Sequence, residues 1–174
     1  IYQSMRTLTL KVFNALGRGT GGLSDSFAGE AKQLLGEKQT ILKRLERIAR
    51  KKVTGMKIRI HGDYHLGQVL FTGVDFIIID FEGEPARSLA ERRMKQSPLK
   101  DVAGMIRSFH YAAYLSLLTG APANSGRLSP LAPWADLWYS VMAASFLSSY
   151  LDTASASRIV PEDKRQLEIL LNFF

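Results

Sequence analysis

The sequence predicts an α+β fold, predominantly α, with one small antiparallel β element near its middle. Two patterns carry that expectation: long stretches at both ends place apolar residues at helical spacing, and residues 57–79 switch to short strand-like runs around a turn signal. A third observation bounds the size. With 174 residues and 46% hydrophobic content, one domain can bury its own core without disulfides or a structural metal.

The elements follow in chain order. Residues 5–16 carry Leu8, Val12 and Leu16 at helical spacing and predict a helix ending near Gly17, followed by a loop over 17–26. With Asp25 as its N-cap, a second helix is expected down to the basic run, its stripe made of Leu34, Leu35, Ile41, Leu42, Leu45 and Ile48. Residues 57–60 alternate like a strand; 69–71 and 76–79 are apolar runs joined by Thr72-Gly73-Val74-Asp75, which predicts a hairpin. A polar, arginine-rich stretch then leads to Ser97-Pro98, a cap and first-turn proline that open a helix through residue 118. After a Pro/Gly/Ser/Asn loop over 120–133, helices are expected at 134–151 and at 161–171. The chain thus reads as helical over 1–52, catalytic loop and hairpin over 57–85, and helical over 97–174.

Composition removes several functions. Cysteine is absent, so thiol nucleophiles, disulfide frameworks and thiolate metal sites are excluded, which suits a cytoplasmic protein. No apolar run reaches the roughly 20 residues needed to cross a bilayer, and no membrane association is expected. The net charge of +7 gathers largely in Lys43, Arg44, Arg47, Arg50, Lys51, Lys52, Lys57 and Arg59. That run is read as the solvated face of a helix, not as a nucleic-acid patch. The chain opens at Ile1 without an initiator methionine or a signal pattern, and is expected to be a piece of a longer one.

The polar chemistry clusters in two strings, His61-Gly62-Asp63-Tyr64-His65-Leu66-Gly67-Gln68 and Asp80-Phe81-Glu82-Gly83. Phosphoryl transfer needs a carboxylate to accept the proton of the attacking hydroxyl, and oxygen ligands for the Mg²⁺ that bridges the phosphates. Asp63 precedes Gln68 by the interval that separates aspartate from asparagine in the kinase loop H-R-D-x-x-x-x-N, and Asp80 opens D-F-E where kinases have D-F-G after the next hairpin. The bland alternative is three polar residues that end strands and cap turns. Gly17-Arg18-Gly19-Thr20-Gly21-Gly22 imitates a phosphate loop, but no strand precedes it and no lysine strand follows, so it is read as an inter-helix loop.

The strings H-G-D-Y-H-L-G-Q, D-F-E-G-E-P-A-R and D-V-A-G-M-I-R-S-F-H-Y-A-A, between residues 58 and 114, resemble the maltokinase family, including maltokinase domains fused to trehalose synthase. That family is similar in fold to aminoglycoside phosphotransferases and protein kinases. The resemblance implies a protein-kinase-like C-terminal lobe that uses ATP and Mg²⁺ to phosphorylate maltose, working with an N-lobe outside these residues and with a possible fused trehalose synthase domain. It implies Asp63 as catalytic base, with Gln68 and Asp80 binding the nucleotide's Mg²⁺. Glu82 is either a further metal or sugar contact or an exposed loop acid. His65 and Tyr64 are expected to line the acceptor site, and His61 to brace backbone or touch substrate. Asp101, in the first turn of the Ser97 helix, either hydrogen-bonds the catalytic-loop backbone or simply complements the helix N-terminus. Trp134, with Trp138 and Tyr139, is either a sugar-stacking platform or core. Two rivals stand beside this reading: a phosphotransferase for another hydroxyl (aminoglycoside, choline or a different sugar), and a catalytically silent docking module.

Overall fold

The computed structural model describes residues 2–22, 25–50, 55–120 and 130–174. The chain divides into two compact units, one of residues 1–52 with Phe173, the other of residues 53–172 with Phe174.

The first unit packs α1 (Tyr2–Gly19), α2 (Asp25–Gly36) and α3 (Lys38–Ala49) against one another. Among the described residues, each helix buries one side chain: Phe13, Ala31 and Leu45. The buried face of α1 runs through Met5, Thr9, Phe13 and Leu16, not through the expected Leu8 and Val12, which are exposed. The two stripes differ by one residue, about 100° around the helix, and the aromatic ring at position 13 offers the larger apolar area. A second departure lies at Gly36, where the single expected helix breaks into α2 and α3. Glycine is a poor helix interior residue, and the Glu37 N–H turns back to Leu34 O at 3.0 Å before α3 starts. The glycine-rich stretch continues α1 through Gly19 and then forms a short 3₁₀ turn, Thr20–Gly22. The expected Asp25 cap and the Ile48 and Lys51–Lys52 side chains lie outside the described residues.

In the second unit, α5 (Leu99–Gly120) packs along α6 (Ala132–Ser155), with α7 (Lys164–Leu171) also against α5. Leu99, Val102, Ala154 and Val160 form the core, surrounded by Ile106, Phe146, Leu147 and Leu167 among others. Leu99, Val102, Met105 and Phe109 are buried at helical spacing, and Phe109 meets Phe146 edge-on at 5.6 Å. Burying each such side chain contributes about 1.5–3 kcal/mol, which fixes the rotation of α5 and leaves the adjacent flank, about 100° around the helix, for polar use. Helix α6 begins at Ala132, two residues before expectation, because Pro133 fits the first helical turn. Asp163 caps α7 by accepting from Arg165 N at 2.9 Å, so that helix starts later than residue 161.

The β element is smaller than the sequence predicts. Strands β1 (Val69–Phe71) and β2 (Phe76–Ile78) form an antiparallel hairpin with Val69 opposite Ile78, closed by Thr72 and Asp75 with Gly73 at φ 94°. The expected strand over 57–60 reduces to one bridge between Ile58 and Gln96. Its continuation is prevented because the next donors, His61 N–H and Gly62 N–H, turn to a side-chain carboxylate instead of a neighbouring strand. Helix α4 (Leu89–Arg93) was not expected in the arginine-rich stretch; a capping box of Ser88 and Glu91 starts it. Among the described residues, no helix is long and apolar enough to cross a membrane.

Candidate active site

The site is built on the polar flank of α5. Asp101, in its first turn, accepts from His61 N at 2.7 Å and from Gly62 N at 2.9 Å. One turn on, Gly104 leaves room for the loop: a Cβ there would stand 2.8 Å from Tyr64 O. One turn further, Ser108 Oγ accepts from Leu66 N at 3.0 Å. Residues 101, 104 and 108 thus form a helical stripe along which the loop 61–66 is laid. Sequence reasoning named Asp101 but missed Gly104 and Ser108, whose signal was their i+3 and i+7 spacing from that carboxylate.

The loop is also tied to the hairpin. His61 is buried, with Nε2 at 2.8 Å from Ile79 O and Nδ1 at 3.4 Å from Asp63 N. A carbonyl only accepts, so Nε2 carries the hydrogen and Nδ1 accepts from the Asp63 amide. The ring sits 5.5 Å from Tyr64 and 5.0 Å from Phe81. Gly62 at φ 88° and Gly83 at φ 79° let the two backbones touch: a Cβ on Gly62 would lie 3.4 Å from Gly83 Cα, and one on Gly83 3.4 Å from His61 O. Burial pushes the Tyr64 hydroxyl above the usual tyrosine range, and the nearby charge of Asp101 adds to it.

Asp63 is half-buried, and its carboxylate lies 4.0 Å from His65 Nε2. His65 Nδ1 accepts from Gly67 N at 3.0 Å and caps the short 3₁₀ turn Leu66–Gln68. From that turn Gln68 reaches Asp80, Nε2 to Oδ2 at 3.0 Å. Gln68 O also accepts from Ile79 N, extending the hairpin ladder to the residue before Asp80. Asp80 itself is in the left-handed region at φ 61°, a conformation that costs a non-glycine residue about 1 kcal/mol or more and clusters at functional sites. Glu82 is exposed. Gln68 Oε1 and the Asp80 carboxylate are hard oxygen donors on adjoining side chains, a set that suits Mg²⁺, which takes few protein ligands and completes its shell with phosphates and water.

No known family profile matches the chain. Over 75 residues, 40% of the chain, it is 41% identical to a glucosamine kinase of Mycolicibacterium smegmatis, and over 96 residues 26% identical to a glucosamine kinase of Streptacidiphilus jiangxiensis. These matches span 18% and 20% of those relatives' lengths. In structure it is similar to crystalline glucosamine kinase, with a TM-score of 0.67 at 20% identity, covering 98% of this chain and 40% of that one. It is also similar to glucosamine kinase in complex with glucosamine, ADP and inorganic phosphate, with a TM-score of 0.66 at 20% identity, covering 98% and 41%. The chain shares their fold over less than half of their length.

Trp134 lies apart from this group of residues. It lines an apolar cavity of about 460 Å³ with Trp138, Ala112, Leu117, Leu131 and Ala135, between the end of α5 and the start of α6. Ala112 is one turn beyond Ser108, about 6 Å further along α5 than the loop's last anchor. Tyr139 instead meets His110 edge-on at 5.1 Å, while Tyr114 stacks on His110 and hydrogen-bonds Asp136.

Gly104 yields a direct test. Alanine gains about 0.5–1 kcal/mol over glycine within a helix, but the 2.8 Å approach to a backbone carbonyl forces overpacking worth about 1–3 kcal/mol. The expected result is that Gly104→Ala lowers the thermal unfolding midpoint. A midpoint raised by the helix propensity alone would show that the Tyr64 carbonyl yields without cost.

Proposed function

We propose that this chain carries the catalytic loop and metal-binding hairpin of an ATP-dependent sugar kinase, and that it works with preceding polypeptide that completes the nucleotide site. The observation that carries the reading is that the loop bearing Asp63 is fixed from α5 by Asp101 and from the hairpin through His61, while Gln68 and Asp80 hydrogen-bond each other at the base of that hairpin. In the reaction, Asp63 takes the proton of the acceptor hydroxyl as that oxygen attacks the γ-phosphorus of ATP; the bond to the β,γ-bridging oxygen breaks and ADP leaves. Gln68 and Asp80, with Glu82 as a further contact, would hold Mg²⁺, which when bound neutralises phosphate charge. His65, 4.0 Å from Asp63, orients the base and lines the acceptor side. Trp134 and Trp138 offer the apolar wall against which a sugar ring can stack.

For the acceptor, the relatives favour an amino sugar such as glucosamine. Maltose, implied by the resemblance to the maltokinase family, is the second reading. Acceptor profiling of the protein expressed with its upstream residues separates them. ADP release dependent on Mg²⁺ should be highest with glucosamine, lower with maltose, and near background with an aminoglycoside or choline. Release unaffected by every sugar would leave the docking-module reading in place.

A further inference from the structure

The two polar strings meet at one point, and an arginine outside both of them closes it. Gly83, buried and at φ 79°, ends the string that carries Asp80 and Glu82. A Cβ placed on it would stand 3.4 Å from His61 O and 3.6 Å from both Cβ and Cγ of Arg92. The His61 carbonyl and the Arg92 stem therefore converge on the same small space, which glycine leaves open. Beyond that stem the Arg92 guanidinium spans the loop that follows: Nε donates to Arg87 O at 2.9 Å and Nη2 to Pro85 O at 3.1 Å. The capping box of Ser88 and Glu91 fixes the turn of α4 from which the side chain reaches back.

The charge of Arg92 is directed at backbone. Among the described residues it makes no ion pair within 4.0 Å. Two carbonyls two residues apart suit the planar fork of a guanidinium, whereas an ammonium is a single point charge without that fork. The segment held this way is strained. Asp80 sits at φ 61°, and a non-glycine residue keeps that conformation where its surroundings over-determine it. On the N-terminal side the bond from Ile79 N to Gln68 O and the contact between Gln68 and Asp80 do so. On the C-terminal side the chain is held by the seat of Gly83 and by Arg92.

We propose that Arg92 is a positioning residue for phosphoryl transfer: it seats the segment from Asp80 to Gly83 on the backbone of His61 and Gly62, and so fixes the metal-binding string relative to Asp63. Its part in the reaction rests on the sugar-kinase reading; its hold on the two strings does not. Arg92 acts through Gly83 and the loop over 84–87, not by contact with the reacting groups. Without the clamp the two strings can shift against each other, and a misplacement of about 1 Å in a group that aligns reactants costs about 10²-fold in rate.

The test uses the protein expressed with its upstream residues, each variant measured well below its unfolding midpoint, with Arg93→Met at the exposed neighbour as the control that leaves turnover unchanged. Arg92→Met is expected to lower kcat about 10- to 100-fold and to raise the Mg²⁺ concentration needed for half-maximal ADP release, while the KM for the sugar stays near that of the parent. Arg92→Lys keeps the charge and loses the fork, recovers part of the loss, and keeps the comparison readable if the methionine variant is unfolded. Amide hydrogen exchange gives a readout that needs no activity: in Arg92→Met, exchange should quicken at His61 and Gly62 as well as at Ala86 and Arg87. Quickening confined to Ala86 and Arg87 with unchanged kcat and Mg²⁺ dependence, or a lowered unfolding midpoint as the sole change, makes Arg92 a local brace and overturns the proposal. Exchange quickened at His61 and Gly62 in a protein that phosphorylates no sugar sinks the sugar-kinase reading alone; sugar phosphorylation indifferent to Arg92→Met sinks the positioning role alone.

Discussion

Asp63→Asn is expected to lower kcat about 10²- to 10⁴-fold in the protein expressed with its upstream residues, while the KM for ATP stays within a few-fold. Asparagine keeps the size and polarity of the side chain but is not a base, so the hydroxyl proton of the acceptor has nowhere to go as the new P–O bond forms. Nucleotide affinity is spared because the proposed Mg²⁺ ligands, Gln68 and Asp80, lie on the hairpin side and contact each other, not Asp63. His65 is 4.0 Å from the carboxylate and is engaged at Nδ1 by Gly67 N, so it is poorly placed to replace the base. Steady-state kinetics with varied ATP and varied sugar checks both halves of the expectation. Turnover near that of the parent protein removes Asp63 from the reaction. A rise in the ATP KM that accounts for the whole loss would instead place Asp63 in nucleotide binding.

The hairpin was legible in the sequence because its causes are local: Thr72-Gly73-Val74-Asp75 supplies the turn, and apolar residues flank it. Once that turn is set, the register places Gln68 opposite Ile79, so the adjacency of Gln68 and Asp80 follows from counting residues outward. The capping box of α4 was equally local, and Ser88-Leu89-Ala90-Glu91 could have revealed it. Other features depend on partners distant in sequence. Nothing near Phe13 shows that the face of α1 turns on it and away from Leu8, since that choice is made by what α2 and α3 bring to the same core. The closeness of Gly104 to Tyr64 spans 40 residues of chain, and the i+3 spacing from Asp101 marks the face of α5 but not the carbonyl that meets it. Residues 57–60 look like a strand by alternation, but alternation specifies exposure and supplies no partner; the donors of His61 and Gly62 are taken up by Asp101. The apolar run 76–79 yields a strand one residue shorter than the run itself, β2 ending at Ile78 ahead of the left-handed Asp80.

Asp101→Ala is expected to cost both stability and activity, and its size decides between the two roles the sequence left open. If the carboxylate only complemented the N-terminus of α5, its loss would cost about 0.3–1 kcal/mol. The structure gives it two backbone donors, His61 N at 2.7 Å and Gly62 N at 2.9 Å, and hydrogen bonds to a charged group are worth about 1.5–3 kcal/mol each. Removing the acceptor also strands the amide of a buried residue, His61. A loss of about 3 kcal/mol or more is therefore expected in denaturant unfolding, a large part of the roughly 5–15 kcal/mol that holds a domain together. Asp101→Asn separates stability from positioning: its amide oxygen can still accept, so the fold should largely survive, yet a neutral acceptor holds the loop less firmly. In the longer protein that variant should lose kcat more than it raises KM, because the loop from His61 to Asp63 must be fixed for the base to meet its proton. An Asp101→Ala protein within 1 kcal/mol of the parent would reduce Asp101 to a helix-terminus charge and leave His61, Gly83 and Ser108 to hold the loop in place.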